Sequence, residues 1–161
     1  MVSHVEGEIV IHRPVEEVFD FVADERNEPH YNPRMLRAEK ITDGPVGPGT
    51  RFLAELETMG HTMPMTVEFT NYERPRRVTS CTRSSMMTTD GTLTFVPIAD
   101  GTRMRWSWDV RPRGILRLMG LLVGCLGRRQ EQNIWGRLKR LLERGGAKTY
   151  GPRRSDAPGA R

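Results

Sequence analysis

The chain has 161 residues, 37% of them hydrophobic and 28% charged, with a net charge of +5. That is the size of one ordinary domain with a single core or cavity. Lys and Arg against Asp and Glu run 13 to 17 over residues 1–112, 8 to 2 over 113–144 and 4 to 1 over 145–161. An acidic body with a basic C-terminal segment argues against a nucleic-acid binder, which spreads its positive patch over the folded body and adds stacking aromatics for single strands. MVSHVEGEIV lacks both a basic stretch and a continuous apolar run, so the expected location is cytoplasmic. Cys81 and Cys125 have no C-x-x-C partner and read as reduced, isolated apolar fillers.

The near-alternation of EGEIVIH (6–12) predicts a strand. Pro14 then suits a first helical turn, Glu16 and Glu17 follow in it, and Val15, Val18, Phe19 and Val22 form an apolar stripe, which predicts a short amphipathic helix. Asp24 is placed to cap a second helical turn running to about Tyr31, which Asn32-Pro33-Arg34 ends. Strands are predicted at 35–42, 51–58, 63–73, 78–84, 92–98 and 103–110, separated by DGPVGPGT, MGH, ERPRR and the hairpin signal ADGT. The last, RMRWSWDV, alternates cleanly, with Met104, Trp106, Trp108 and Val110 on one face and Arg103, Arg105, Ser107 and Asp109 on the other.

After Pro112 and Gly114 a long helix is expected over 115–143, carrying one stripe from Ile115, Leu118, Met119, Leu122 and Leu126 through Gln130, Asn133 and Ile134 to Leu138, Leu141 and Leu142. Gly145-Gly146 stop it, and the Gly-, Pro- and Arg-containing remainder reads as a disordered basic tail. A membrane span needs roughly 20 apolar residues. The apolar half of this segment is shorter and contains Arg117, so it does not span. Six strands after the two short helices share a greasy face that needs a cover, and this helix is the segment long enough to supply it, with its basic half toward water.

The order of strand, two short helices, six strands and long helix, together with IHRPVEEVFDFVAD, GPVGPGTRF, VEFTNYERPRRV, GTRMRWSWDV and RGILRLM…RRQEQNIWGRLKRLLE, resembles the polyketide cyclase/dehydrase branch of the START-like SRPBCC superfamily. The resemblance covers residues from about 5 to 144 and implies an α+β helix-grip fold, with a curved antiparallel sheet of about seven strands wrapped around the C-terminal helix. It makes 1–144 one ligand-binding domain and 145–161 the tail. It also implies a cavity between helix and sheet for lipids, polyketides, hormones or other apolar molecules.

Strand parity points Phe52, Ala54 and Leu56, Met63, Met65, Val67 and Phe69, Leu93 and Phe95, and Met104, Trp106 and Trp108 toward Leu118, Met119, Leu122 and Leu126 of the helix. The plain alternative is solid core. The methionines at 59, 63, 65, 86, 87, 104 and 119 are dense for a rigid core and suit an adaptable pocket wall. His30 and Tyr31 fall near one cavity mouth of the resembled fold and are the candidates for moving a proton at a ligand oxygen; the alternative is that Tyr31 packs and His30 is exposed.

Glu55, Glu57, Glu68 and Asp109 take the outward parity, which argues against carboxylate-driven chemistry. Gln130 and Asn133, with Arg129 beside them, either hold a ligand carbonyl or carboxylate or mark where the stripe passes the sheet edge into water. His4, His12, His30 and His61 have no metal-ligand spacing, and no GxGxxG, P-loop, G-x-S-x-G or H-E-x-x-H occurs, so neither a metal nor another cofactor is expected. The resulting expectation is a module that binds a small apolar ligand. A polyketide cyclase/aromatase using the same cavity, with His30, Tyr31 and the Trp106/Trp108 wall, is the second reading. The third is a lipid carrier that touches anionic membrane through its basic helix and tail.

Overall fold

In a computed structural model, residues 2–114 and 120–145 are described, the last stretch with side chains from Arg129 onward. Seven strands form one antiparallel sheet: β1 (Ser3–Ile11), β2 (Met35–Lys40), β3 (Arg51–Thr58), β4 (His61–Glu73), β5 (Arg77–Ser84), β6 (Met87–Ile98) and β7 (Gly101–Pro112). Their order across the sheet is β1-β7-β6-β5-β4-β3-β2, so the first two strands are its opposite edges. Helix α1 (Val15–Val22) and a 3-10 helix (Glu25–His30) carry the chain between those edges, and the long helix α2 (Gly120–Gly145) follows β7. This is the α+β helix-grip arrangement expected from the sequence. The beginning of the expected helix, with Ile115, Leu118 and Met119, lies outside the described residues. So do the side chains of Leu122, Cys125 and Leu126 and the expected tail beyond Gly145.

The local signals act as expected at the N-terminal crossing. Val15, Val18, Phe19 and Val22 of α1 are buried, and Phe19 meets Phe95 and Tyr72 edge-on at 5.1 and 5.2 Å. Asp24 caps the 3-10 helix by accepting a hydrogen bond from the Arg26 backbone N–H at 3.1 Å. Between β3 and β4 the turn residues Met59 and Gly60 both have positive φ, 52° and 76°, as a two-residue hairpin of matching twist requires.

Strand β6 starts at Met87, five residues before the expected beginning at Thr92. Met87, Thr88, Thr89, Asp90 and Gly91 carry no apolar alternation and contain an Asp-Gly pair that looks like a turn. In the fold they pair with β7 from Trp108 to Pro112. At the other hairpin the turn falls on Ala99 and Asp100, and Gly101 opens β7. A side chain at 101 would stand 2.3 Å from the Ile11 carbonyl oxygen, so this glycine serves the close approach of β1.

Helix α2 lies on the sheet through Ile134, Trp135, Leu138 and Leu142, all buried, while Arg129, Asn133, Arg137 and Arg140 are exposed. Its basic face meets water, as its stripe predicts. The C-terminal half is tied to β1: Lys139 Nζ donates to the Val10 carbonyl at 2.6 Å, and Glu143 accepts from the His12 backbone N–H at 2.9 Å. No helix among the described residues is long and apolar enough to cross a membrane.

Candidate functional site

The greasy sheet face is not filled uniformly. Under α1 it is solid: Phe19, Phe52, Phe69, Phe95, Ile11, Met104 and Val18 are all essentially inaccessible to water. Toward β5 the side chains become small. Val78, Ser80, Thr82 and Ser84 take the inward positions of that strand, and a cavity of about 260 Å³ opens in front of them. Its sheet wall includes Leu56, Met63, Met65, Val67, Phe69, Leu93 and Trp108, and α2 supplies Gln130, Glu131, Ile134 and Trp135.

The cavity thus brings together Tyr31, Leu56, Met63, Met65, Val67, Phe69, Leu93, Trp108 and Gln130 from the expected set. Four others do not line it. Phe52 packs on Phe69 at 5.3 Å, Phe95 on Phe19, and Met104 is wholly buried. Trp106 lies against Trp135 at 5.7 Å with its indole over Gly7. All four have the inward parity, but core side chains occupy the space beside them: Phe69 at Phe52, Phe19 of α1 at Phe95 and Trp135 at Trp106. Met119, Leu122 and Leu126 lie outside the described side chains. His30, the second proton-transfer candidate, is part-buried and does not line the cavity.

One end of the cavity is polar and acidic. In a 3-10 helix residues three apart eclipse one another, and Glu25, Glu28 and Tyr31 follow that spacing, all three onto the cavity. Across from them α2 presents Glu131, whose Oε2 accepts from Trp108 Nε1 at 3.0 Å and Trp135 Nε1 at 2.9 Å. Burial pushes the Glu131 carboxyl up to about 7; the indole N–H groups pull it back, and the negative charge of Glu28 adds to the rise. The Glu25 carboxyl is also held well above the usual carboxylate range, by burial first and then by Glu28 and Asp24. Tyr31, 3% exposed, has its phenol raised by burial and then by Glu28, Glu25 and Glu131. Its hydroxyl makes no hydrogen bond with any described residue.

Strand parity indicates an interior without carboxylates. Glu55, Glu68 and Asp109 do point outward, to Arg37, to Arg51 and Arg83, and to His4, and Glu57 is exposed. The inward carboxyls come instead from helical elements, where the alternation of strands says nothing. The 3-10 spacing of Glu25, Glu28 and Tyr31, and the four-residue spacing of Glu131 and Trp135, were the available signals. Gln130 reaches the cavity wall, but its Oε1 accepts from Arg34 at 2.6 Å, while Arg34 also donates to the Glu57 carbonyl and Thr58 Oγ1. Gln130 therefore helps fix α2 to the end of β3. Asn133 and Arg129 are exposed in a separate groove with Arg34, Arg137 and Arg140, which agrees with the reading that the stripe there leaves the sheet for water. Among the described residues no cluster of His, Cys, Asp and Glu has the arrangement to hold a metal ion.

A strongly curved antiparallel sheet gripping a C-terminal helix around an apolar hollow defines the START-like class. Among solved structures, a START superfamily protein from Mycobacterium smegmatis superimposes with TM-score 0.76 at 15% identity, covering 88% of this chain and 97% of that one. The Zhui aromatase/cyclase from Streptomyces sp. R1128 matches with TM-score 0.76 at 13% identity, over 89% and 95%. A protein from Thermus thermophilus matches with TM-score 0.73 at 19% identity, over 85% and 94%. No curated protein is significantly similar in sequence. Residues 3–143 match the family model described as polyketide cyclase / dehydrase and lipid transport, and the chain belongs to that family.

Proposed function

We propose that the protein binds a small, largely apolar molecule between the sheet and α2, with the ligand's polar end against Glu25, Glu28, Tyr31 and Glu131. The observation that carries this reading is the cavity of about 260 Å³. A water molecule occupies roughly 30 Å³ in the liquid, so the space exceeds a chance packing defect. It falls just below the roughly 300–1,000 Å³ range of ligand pockets, which favours a compact ligand over a long lipid. Native mass spectrometry of protein isolated from its own cells tests the reading. A co-purified apolar molecule, released unchanged on denaturation and lost in a Met65→Trp variant that fills the cavity, is the expected result. Protein that carries nothing and takes up no apolar compound in titration overturns it.

A second reading, an acid–base enzyme of the cyclase/dehydrase kind, is favoured by one observation. Glu131, with its carboxyl near neutrality, shares the cavity with the Tyr31 hydroxyl, which has no partner among the described residues. A general acid–base works best when its pKa lies near the operating pH. In this reading Glu131 moves the proton and Tyr31 orients or protonates a ligand oxygen, while His30, off the cavity wall, takes no direct part. Conversion of a supplied poly-β-ketone that slows in Glu131→Gln and Tyr31→Phe supports it; conversion at the same rate in both variants removes it.

A cytoplasmic location and a domain spanning 1–144 belong to the same proposal. Contact with anionic membrane draws its support from the groove of Arg34, Arg129, Arg137 and Arg140. Flotation with anionic vesicles that disappears in high salt tests that contact.

A further inference from the structure

We infer that the cavity selects a compact apolar molecule carrying a basic nitrogen, bound as the cation, and rejects carboxylates. The inference rests on the ligand-binding reading above and names its ligand class. Three carboxyl groups, Glu25, Glu28 and Glu131, converge on one end of the cavity, and none of its described lining residues is Lys, Arg or His. Arg34 directs its guanidinium to Gln130, the Glu57 carbonyl and Thr58. Burial and the neighbouring Glu28, which also hydrogen-bonds it, hold the Glu25 carboxyl toward its neutral form; the charge of Glu28, and that of Glu131 above neutral pH, meets no cation in the described lining and is left for a ligand to neutralise.

The surrounding side chains suit a cation more than a neutral group. Tyr31 and Trp135 stand 5.9 Å apart and both line the cavity, together with Trp108. Aromatic faces around a desolvated site attract an ammonium group through their quadrupoles. The two indole N–H groups occupy Oε2 of Glu131, and Oε1 has no hydrogen-bond partner among the described residues. Oε1 is an acceptor suited to a ligand N–H. Both indoles are donors only, so they hold the carboxylate in place without competing for the ligand's protons. A carboxylate ligand would meet Glu28 and, above neutral pH, Glu131, both of its own sign, in a medium that screens poorly. The apolar remainder of the ligand rests on Met63, Met65, Val67 and Leu93 of the sheet wall.

Isothermal titration with naphthylethylamine, naphthylethanol and naphthylacetic acid separates charge from shape. It is run slightly above neutral pH, where the amine is a cation and Glu131 is ionised. The amine is expected to bind about tenfold or more tighter than the alcohol, a factor equivalent to roughly 1.4 kcal/mol, and the acid is expected not to bind measurably. Glu131→Gln retains an amide oxygen for the indoles and brings the amine-to-alcohol ratio toward one. Glu28→Gln lowers the same ratio and replaces the first variant if that one does not fold. An acid that binds as tightly as the amine, or a ratio unmoved by both substitutions, overturns the inference while leaving ligand binding intact. Folded protein that binds none of the three overturns the ligand-binding reading, and this inference falls with it.

Discussion

Glu131 shows how one side chain can trade stability for a site. Its carboxyl is raised from 4.5 to about 7, chiefly because burial penalises the ion. The folded state therefore holds this proton more tightly than the unfolded chain does. Stability from this group is complete below the ordinary carboxylate pKa and is lost as pH rises toward the folded value. That separation corresponds to roughly 3 kcal/mol as an order of magnitude. The melting temperature of the native protein minus that of Glu131→Gln is expected to fall as pH rises from about 5 to about 8, because the variant lacks the titration. A difference that stays flat over that interval refutes the assignment. The four-residue spacing to Trp135 is the local signal for Glu131; its second indole partner, Trp108, lies more than twenty positions earlier in the chain and is brought there by the fold.

Two glycines and two tryptophans set the packing of β7 within the sheet. Trp106 lies over Gly7 of β1 and Trp108 over Gly91 of β6, each opposite its glycine in register. A Cβ at Gly7 would stand 2.3 Å from the Trp106 ring, and one at Gly91 would stand 2.0 Å from the Trp108 ring. Gly91→Ala is expected to cost about 1–3 kcal/mol by overpacking and to displace the indole that holds Glu131. Gly47 is an internal control: nothing lies within 4 Å of its missing Cβ, and its φ is not positive. Gly47→Ala is expected to be neutral or stabilising by about 0.4–1 kcal/mol through the unfolded chain. Thermal melts of the two variants check this pair, and equal losses would contradict it. At this scale the sequence was informative about the clean alternation of β7. It began β6 too late, at Thr92, because residues 87–91 lack apolar alternation; in the fold they are strand, and Gly91 leaves room there for the Trp108 indole.

Across the whole molecule the hollow follows from an uneven distribution of bulk. Phenylalanines and α1 fill one part of the concave face, and the small inward residues of β5 leave the other part open. Filling such a void in place of a ligand usually adds stability at the expense of function. Ser80→Leu is expected to raise stability by about 0.5–2 kcal/mol and to abolish uptake of apolar compounds, as read from melting temperature and titration on the same sample. A variant that melts lower and binds normally would place the functional space elsewhere. The tether of Lys139 and Glu143 to β1 fixes the far end of α2, so the helix side of the cavity is set by contacts remote from it.

Strand alternation, the 3.6-residue stripe of the last helix and the family motifs were legible along the chain, because each depends on near neighbours or on a repeated period. They sufficed for the helix-grip architecture and for the inward residues assigned on β3, β4, β6 and β7. A period says which side of an element a residue occupies and not what stands opposite. Only the tertiary structure separated Trp106, packed on Trp135, from Trp108, which lines the cavity, and brought Glu25, Glu28, Tyr31 and Glu131 to one end of it. Sheet curvature and the docking of α2 determine those distances, and both arise from contacts between residues far apart in the chain.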